Sequence, residues 1–212
     1  MRRLGGSLLA GLALSVLLGV PSAWAAFQDT CFGISYGTNA LKRSVARNYA
    51  YSAHLEGYQW GGGCWNNNNV DDQPGDPPQT YSGGEGGDCS GFTFKAWYER
   101  SDQTLSSFMV HEAGKNIHGP YTAAKFKAGD GAPNVTVGKA STMFMDAFAS
   151  TGHIGMIYAA NVAYNTDDII HAKGESFGTK ILRETYRGQT AYSGVRRVNW
   201  LAECAPQCAG VT

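Results

Sequence analysis

The chain has 212 residues, 17 basic and 17 acidic side chains for a formal net charge of zero, 5 cysteines and 28 glycines. Balanced charge leaves no basic footprint for nucleic acid or an anionic surface, so no nucleic-acid partner is expected. Abundant glycine and a 12% aromatic share suit a loop-rich α+β domain better than a helical bundle, and the length admits one compact domain with a real core.

Arg2 and Arg3, an apolar run over 4–20, Pro21 and the small-residue site Ala23-Trp24-Ala25 read as a secretory signal over 1–25, cleaved after Ala25. The alternative is an uncleaved anchor, since 4–26 is long enough to span a bilayer; Pro21, the glycines and the Ala-x-Ala site favour removal. Residues 26–212 then form a single exported domain, secreted or periplasmic, slightly acidic and without a membrane association of its own.

Over 40–56, Leu41, Val45, Tyr49 and Ala53, with Ala46 and Ala50, recur at helical spacing, and Gly57 closes the pattern. A turn with two aromatics follows, Tyr58-Gln59-Trp60-Gly61-Gly62-Gly63. The polar stretch 64–87, with Asn66 to Asn69, Asp71, Asp72 and Asp76, has no EF-hand spacing and reads as a solvated loop.

The run Gly86-Gly87-Asp88-Cys89-Ser90-Gly91-Phe92 places one thiol where coil becomes helix. Phe92, Phe94, Ala96, Trp97 and Tyr98 put apolar groups on more than one face, so the helix is expected to be buried. Asp88 is a good N-cap, which sets Cys89 in the first turn. Backbone N–H groups there favour a thiolate and can hold an oxyanion. Gly91 costs that turn about 1 kcal/mol against alanine, which fits a backbone that something must approach closely.

An odd cysteine count in an oxidising compartment leaves one thiol unpaired. Cys89 has the activating setting; Cys31, Cys64, Cys204 and Cys208 lie in Gly-, Asn- or Pro-flanked segments suited to bridges, in any of three connectivities. His111-Glu112 lacks the second histidine of a zinc-peptidase motif, because Lys115 stands in its place, so no metal is expected. His54, His111 and His118 read as surface or packing residues. Asn134-Val135-Thr136 matches a glycosylation sequon. A short helix is expected over 122–126.

Strands are read within 141–148, 152–158 and 168–172, then 179–187 and 194–200. An antiparallel hairpin centred near Val162 pairs 153 with 171, 155 with 169 and 157 with 167, which sets His153 and His171 side by side on one face. Two histidines at matched distance from a hairpin centre, with a free thiol at a helix start, point to nucleophilic catalysis.

Tyr58-Gln59-Trp60-Gly61-Gly62, Asp88-Cys89-Ser90-Gly91-Phe92, Gly152-His153-Ile154-Gly155-Met156-Ile157-Tyr158 and Ile170-His171-Ala172 together resemble the NlpC-type papain-like cysteine peptidases of bacteria. The resemblance covers about 40–172. It implies an α+β papain-like domain, with the cysteine at a helix N-terminus packed on an antiparallel sheet that carries two histidines. It also implies activity on peptidoglycan or its muropeptides, without a metal or organic cofactor. Carried over residue by residue, Cys89 is the nucleophile, His153 takes its proton and His171 orients the His153 ring. Tyr58 either helps to hold the oxyanion or packs in the core. Asp88 and Ser90 match positions that hold the amino end of the substrate peptide, and capping is an equal and compatible role for Asp88. The chain departs from the pattern in its longer 64–87 segment, in extra residues between the histidines, and in Lys139-Ala140-Ser141, which replaces a Pro-Gly-Asp and leaves Asp146 displaced.

The function expected is hydrolysis of amide bonds in peptidoglycan stem peptides, at the bond between D-glutamate and a diamino acid. The alternatives are an amidase that cuts between sugar and peptide, a secreted antibacterial toxin with an inhibitor or immunity protein as partner, and a wall-binding protein without turnover.

Overall fold

The computed structural model describes residues 40–65, 86–97, 119, 121–129 and 134–203. The expected signal over 1–25, most of the 64–87 loop, His111, His118, Cys31, Cys204 and Cys208 lie outside these residues, as does the side chain of Cys64. The fold is α+β, a few helices packed on a six-stranded antiparallel sheet.

Helix α1 spans Arg43–Tyr51 and buries Ala46, Tyr49 and Ala50. It is shorter than the apolar spacing over 40–56 predicts. Beyond it the chain tightens into i to i−3 hydrogen bonds at Ala53, His54 and Glu56, and Leu55 turns left-handed at φ 77°. The turn is clamped to the sheet, since Leu55 N–H donates to the Thr179 carbonyl at 2.8 Å and Thr179 N–H to the Glu56 carbonyl at 2.9 Å. Tertiary bonding thus stops the helix before Gly57.

Strands β1 (Gly63–Cys64) and β2 (Gly86–Gly87) form a small antiparallel ladder, and Tyr58 bridges Gly87. This draws the aromatic turn onto the start of helix α2, Cys89–Ala96. Every residue of α2 is buried, as apolar groups on more than one face require, and Phe92, Phe94 and Trp97 are fully enclosed. Each such side chain contributes about 1.5–3 kcal/mol of burial. Gly86 fixes the approach: with φ at 109°, an added Cβ would lie 2.2 Å from the Gly57 carbonyl oxygen. Helix α3, Ala123–Ala128, is capped by Thr122, whose hydroxyl accepts from Lys125 N–H, and ends at left-handed Gly129.

The large sheet contains β3 (Asn134–Val137), β4 (Ala147–Ala149), β5 (Ile154–Asn161), β6 (Thr166–Gly174), β7 (Gly178–Glu184) and β8 (Ser193–Arg197). Their order is β3-β8-β4-β5-β6-β7. Strand β3 carries the sequon, and Asn134 is buried there with its amide donating to the Phe126 carbonyl at 2.9 Å. The expected strand within 141–148 is mostly turn, with a 3-10 segment at Lys139–Ser141 and a left-handed Met145 at φ 61°. Asp146 is buried beside it, accepting from Arg43 at 2.7 Å, from Arg196 at 2.7 and 2.9 Å and from Met143 N–H at 2.9 Å. That carboxylate ties α1 to β8 and to the entry of β4. Stripping such a buried charge of one partner costs about 3–5 kcal/mol.

The β5–β6 hairpin differs from the expected register. Met156 pairs with Ile170 and Ile157 with Ile169, with a bulge before Ala159 and a 3-10 turn at Val162–Tyr164. Gly155 is therefore opposite His171, and His153 is diagonal to it. The shift is two residues, which preserves side-chain parity, so the two histidines still share a face. Gly155 permits this arrangement, because a Cβ there would lie 2.5 Å from Ile169 Cγ2 and 3.1 Å from His171 Cβ. Ile154, Met156, Ile170 and Ala172 join the core under α1, α2 and α3, while Ile157 and Ile169 pack with Phe148 and Tyr186 in a second cluster.

Candidate active site

Asp88 organises the start of α2. One carboxylate oxygen accepts from Ser90 N–H at 3.0 Å, Gly91 N–H at 2.8 Å and the Ser90 hydroxyl at 3.0 Å. The other accepts from Gly61 N–H at 3.1 Å, while Asp88 N–H donates to the Gly62 carbonyl at 3.0 Å. The cap thus also pins the Tyr58–Gly62 turn against the thiol. Because Asp88 occupies the Ser90 and Gly91 N–H groups, the Cys89 N–H is the first-turn donor without a hydrogen bond among the described residues.

Cys89 is 9% exposed, and it is a free thiol. Burial, and then the Asp88 charge, push it up to about 11, against the pull of hydrogen bonds from Ile154 N–H and from Ser90. The helix start alone predicts a thiolate; loss of water outweighs it here. Tyr58 is close enough to feel both Asp88 and Cys89, and burial followed by those charges raises its phenol to about 12, so it is a protonated donor near neutral pH.

The chain from β4 to β5 turns through Ser150-Thr151-Gly152-His153. Ser150 N–H donates to the His153 carbonyl at 2.8 Å, and His153 N–H donates back to the Ser150 hydroxyl at 3.0 Å. This places His153 immediately before Ile154, whose N–H points at the thiol. His153 Nε2 lies 2.8 Å from His171 Nδ1, with ring centroids 5.0 Å apart. No hydrogen bond joins Cys89 to His153; Ile154 links them. Burial lowers His153 to about 4 and, together with the His153 charge, His171 to about 3. Thiol and imidazoles are thus neutral near neutral pH, and His153 Nδ1 is the ring nitrogen left for proton transfer.

A cleft of about 500 Å3 opens on Cys89, lined by Trp60, Gly61, Asp88, Ser90, Thr122 and Gly152 among others. Trp60 stands at its rim, 73% exposed. Asp88 and Ser90, predicted to hold a substrate amine, line this cleft, although both are buried and committed to the helix cap. Among the described residues no three His, Cys, Asp or Glu side chains converge to hold a metal ion. No described helix is long and apolar enough to cross a membrane. His54 sits apart from the site, stacked on Tyr51 with centroids 5.3 Å apart, in keeping with a packing role.

Several residues at the site carry no local signal in the sequence. Tyr186 packs against both histidine rings, with centroids 5.8 and 6.0 Å away, and Tyr192 stacks on Tyr186 at 4.1 Å. Glu184 and Lys173 lie behind His171. No protein-family model, curated protein or solved structure matches this chain.

Proposed function

We propose that the chain is an exported cysteine peptidase that hydrolyses an amide bond within peptidoglycan stem peptides, on a papain-like core of the NlpC type. The observation that carries the reading is the pairing of His153 Nε2 with His171 Nδ1 at 2.8 Å, one residue before the N–H that points at a helix-start thiol. A thiol nucleophile needs a base beside it, and the base needs a third group to fix its ring.

In this reading Cys89 Sγ attacks the substrate carbonyl carbon as His153 Nδ1 takes the thiol proton. The carbonyl π electrons move to oxygen, and the Cys89 N–H and the Tyr58 hydroxyl hold the oxyanion. The protonated His153 gives its proton to the leaving amine as the carbon–nitrogen bond breaks, which leaves a thioester on Cys89. Water, activated by His153, then hydrolyses the thioester. The scheme uses no metal and no organic cofactor. Release into the periplasm or medium follows from the signal over 1–25.

Digestion of purified muropeptides, with the fragments weighed, tests the substrate. Cutting between D-glutamate and the diamino acid is expected. Release of intact stem peptides from the sugar would assign the amidase activity instead, and no cleavage of any wall preparation would move the substrate elsewhere.

A further inference from the structure

His171 Nδ1 and Nε2 face different chemistry. Nδ1 meets His153 Nε2 at 2.8 Å and the Tyr186 hydroxyl at 3.5 Å, two groups that can donate. Nε2 is buried without a hydrogen-bond partner, and Glu184 Oε1 lies 3.7 Å from it. An ionised carboxylate only accepts. Lys173 Nζ holds the same oxygen at 2.6 Å and lies 5.0 Å over the Phe177 ring, so this carboxylate is held in place.

From this arrangement we infer that Glu184 is a positioning residue that keeps the His171 proton on Nε2, so that His171 Nδ1 accepts from His153 Nε2–H and His153 Nδ1 is left bare. With the opposite tautomer, His171 Nδ1–H would donate to His153 Nε2 and force the His153 proton onto Nδ1, where it would block transfer from the thiol. A short closure of the 3.7 Å gap turns the Glu184 contact into a charge-assisted hydrogen bond, and such bonds orient the second nitrogen of functional histidines elsewhere. The consequence for turnover rests on the thiol-hydrolase reading above; the tautomer itself does not.

Long-range proton–nitrogen correlation spectra of the histidine-labelled full chain near neutral pH test this, with rings assigned from single His→Gln variants. Wild type should show Nε2–H on both His153 and His171. Glu184→Leu should move the His171 proton wholly or partly to Nδ1, whereas Glu184→Gln, which keeps an acceptor oxygen, should retain Nε2–H. An Nδ1–H on His171 in wild type, or an unchanged tautomer in Glu184→Leu, would overturn the inference. The wild-type spectrum decides even where the leucine variant fails to fold. On a stem-peptide substrate, Glu184→Leu should lose on the order of tenfold to a hundredfold in kcat with KM nearly unchanged, and Glu184→Gln should recover most of it. The predicted tautomer in a chain that cleaves no stem peptide would leave the inference standing and remove the hydrolase. Cleavage by a wild type carrying Nδ1–H on His171 would do the reverse.

Discussion

At the residue scale the site stands on a competition at Cys89 between helix-start N–H groups and loss of water, and burial wins by raising the thiol to about 11. The resting pair is then a neutral thiol and a neutral imidazole, and in the proposed reaction the proton moves only as the carbonyl is attacked. Alkylation of Cys89 by iodoacetamide should accordingly climb about tenfold per pH unit from 7 toward 10, because only thiolate reacts. A flat rate between pH 5 and 8 would show a preformed thiolate–imidazolium pair instead. Asp88→Asn separates capping from charge. Asparagine can still cap Ser90 and Gly91 with its one amide oxygen but sets an N–H against the Gly61 N–H, so stability should fall by about 1–3 kcal/mol, while removal of the negative charge lowers the thiol and speeds alkylation at pH 8. An unchanged or slower rate would show that Asp88 acts on the thiol through geometry alone. Sequence makes the cap and the candidate nucleophile visible, because both belong to one short run; it does not show how much water the cleft excludes, which depends on how the Tyr58–Gly62 turn is pinned against that run.

At the element scale the hairpin of β5 and β6 decides whether two histidines meet. Gly155 is the contact point, since its missing Cβ leaves room for Ile169 and His171 across the ladder. Gly155→Ala should destabilise by about 1–3 kcal/mol in urea unfolding and lower kcat further than the stability loss explains, by displacing the His171 ring. Full activity in a stably folded Gly155→Ala would mean that the His153–His171 contact is dispensable. Period-two alternation is enough to predict that the histidines share a face, and a two-residue register error leaves that intact. The register itself was not legible, because it depends on the bulge before Ala159 and on left-handed Asn165 closing the turn. Strand β3 carries no sequence signal for a related reason: Val135 and Thr136 face solvent, so no apolar alternation marks it. The apolar spacing overruns helix α1 because the helix end is set by bonds to Thr179, more than a hundred residues away in the chain. Glu184 and Tyr186 reach His171 only through the pairing of β6 with β7, which no short motif announces.

At the scale of the whole molecule, a core that holds two histidines neutral should be acid-labile. The unfolded chain binds protons on these rings below about 6.5, whereas the folded chain resists until about 4 at His153 and about 3 at His171. More protons on the unfolded side mean that stability falls as pH falls across this window, by on the order of 2 kcal/mol per histidine at pH 5. Urea midpoints at pH 7.5 and 5 should show the drop, and His171→Asn should shrink it; equal midpoints in wild type would place the rings in water. The small sheet, the capped helix and the hairpin converge on the Cys89 thiol, and the proposed chemistry depends on it. Its most direct test is the rate at which purified wild type and Cys89→Ala release fragments from the same stem peptide. The account predicts clean cleavage by wild type and a loss of about a thousandfold or more in the variant, as expected when a nucleophile is removed. Cleavage by Cys89→Ala at the wild-type rate would contradict it.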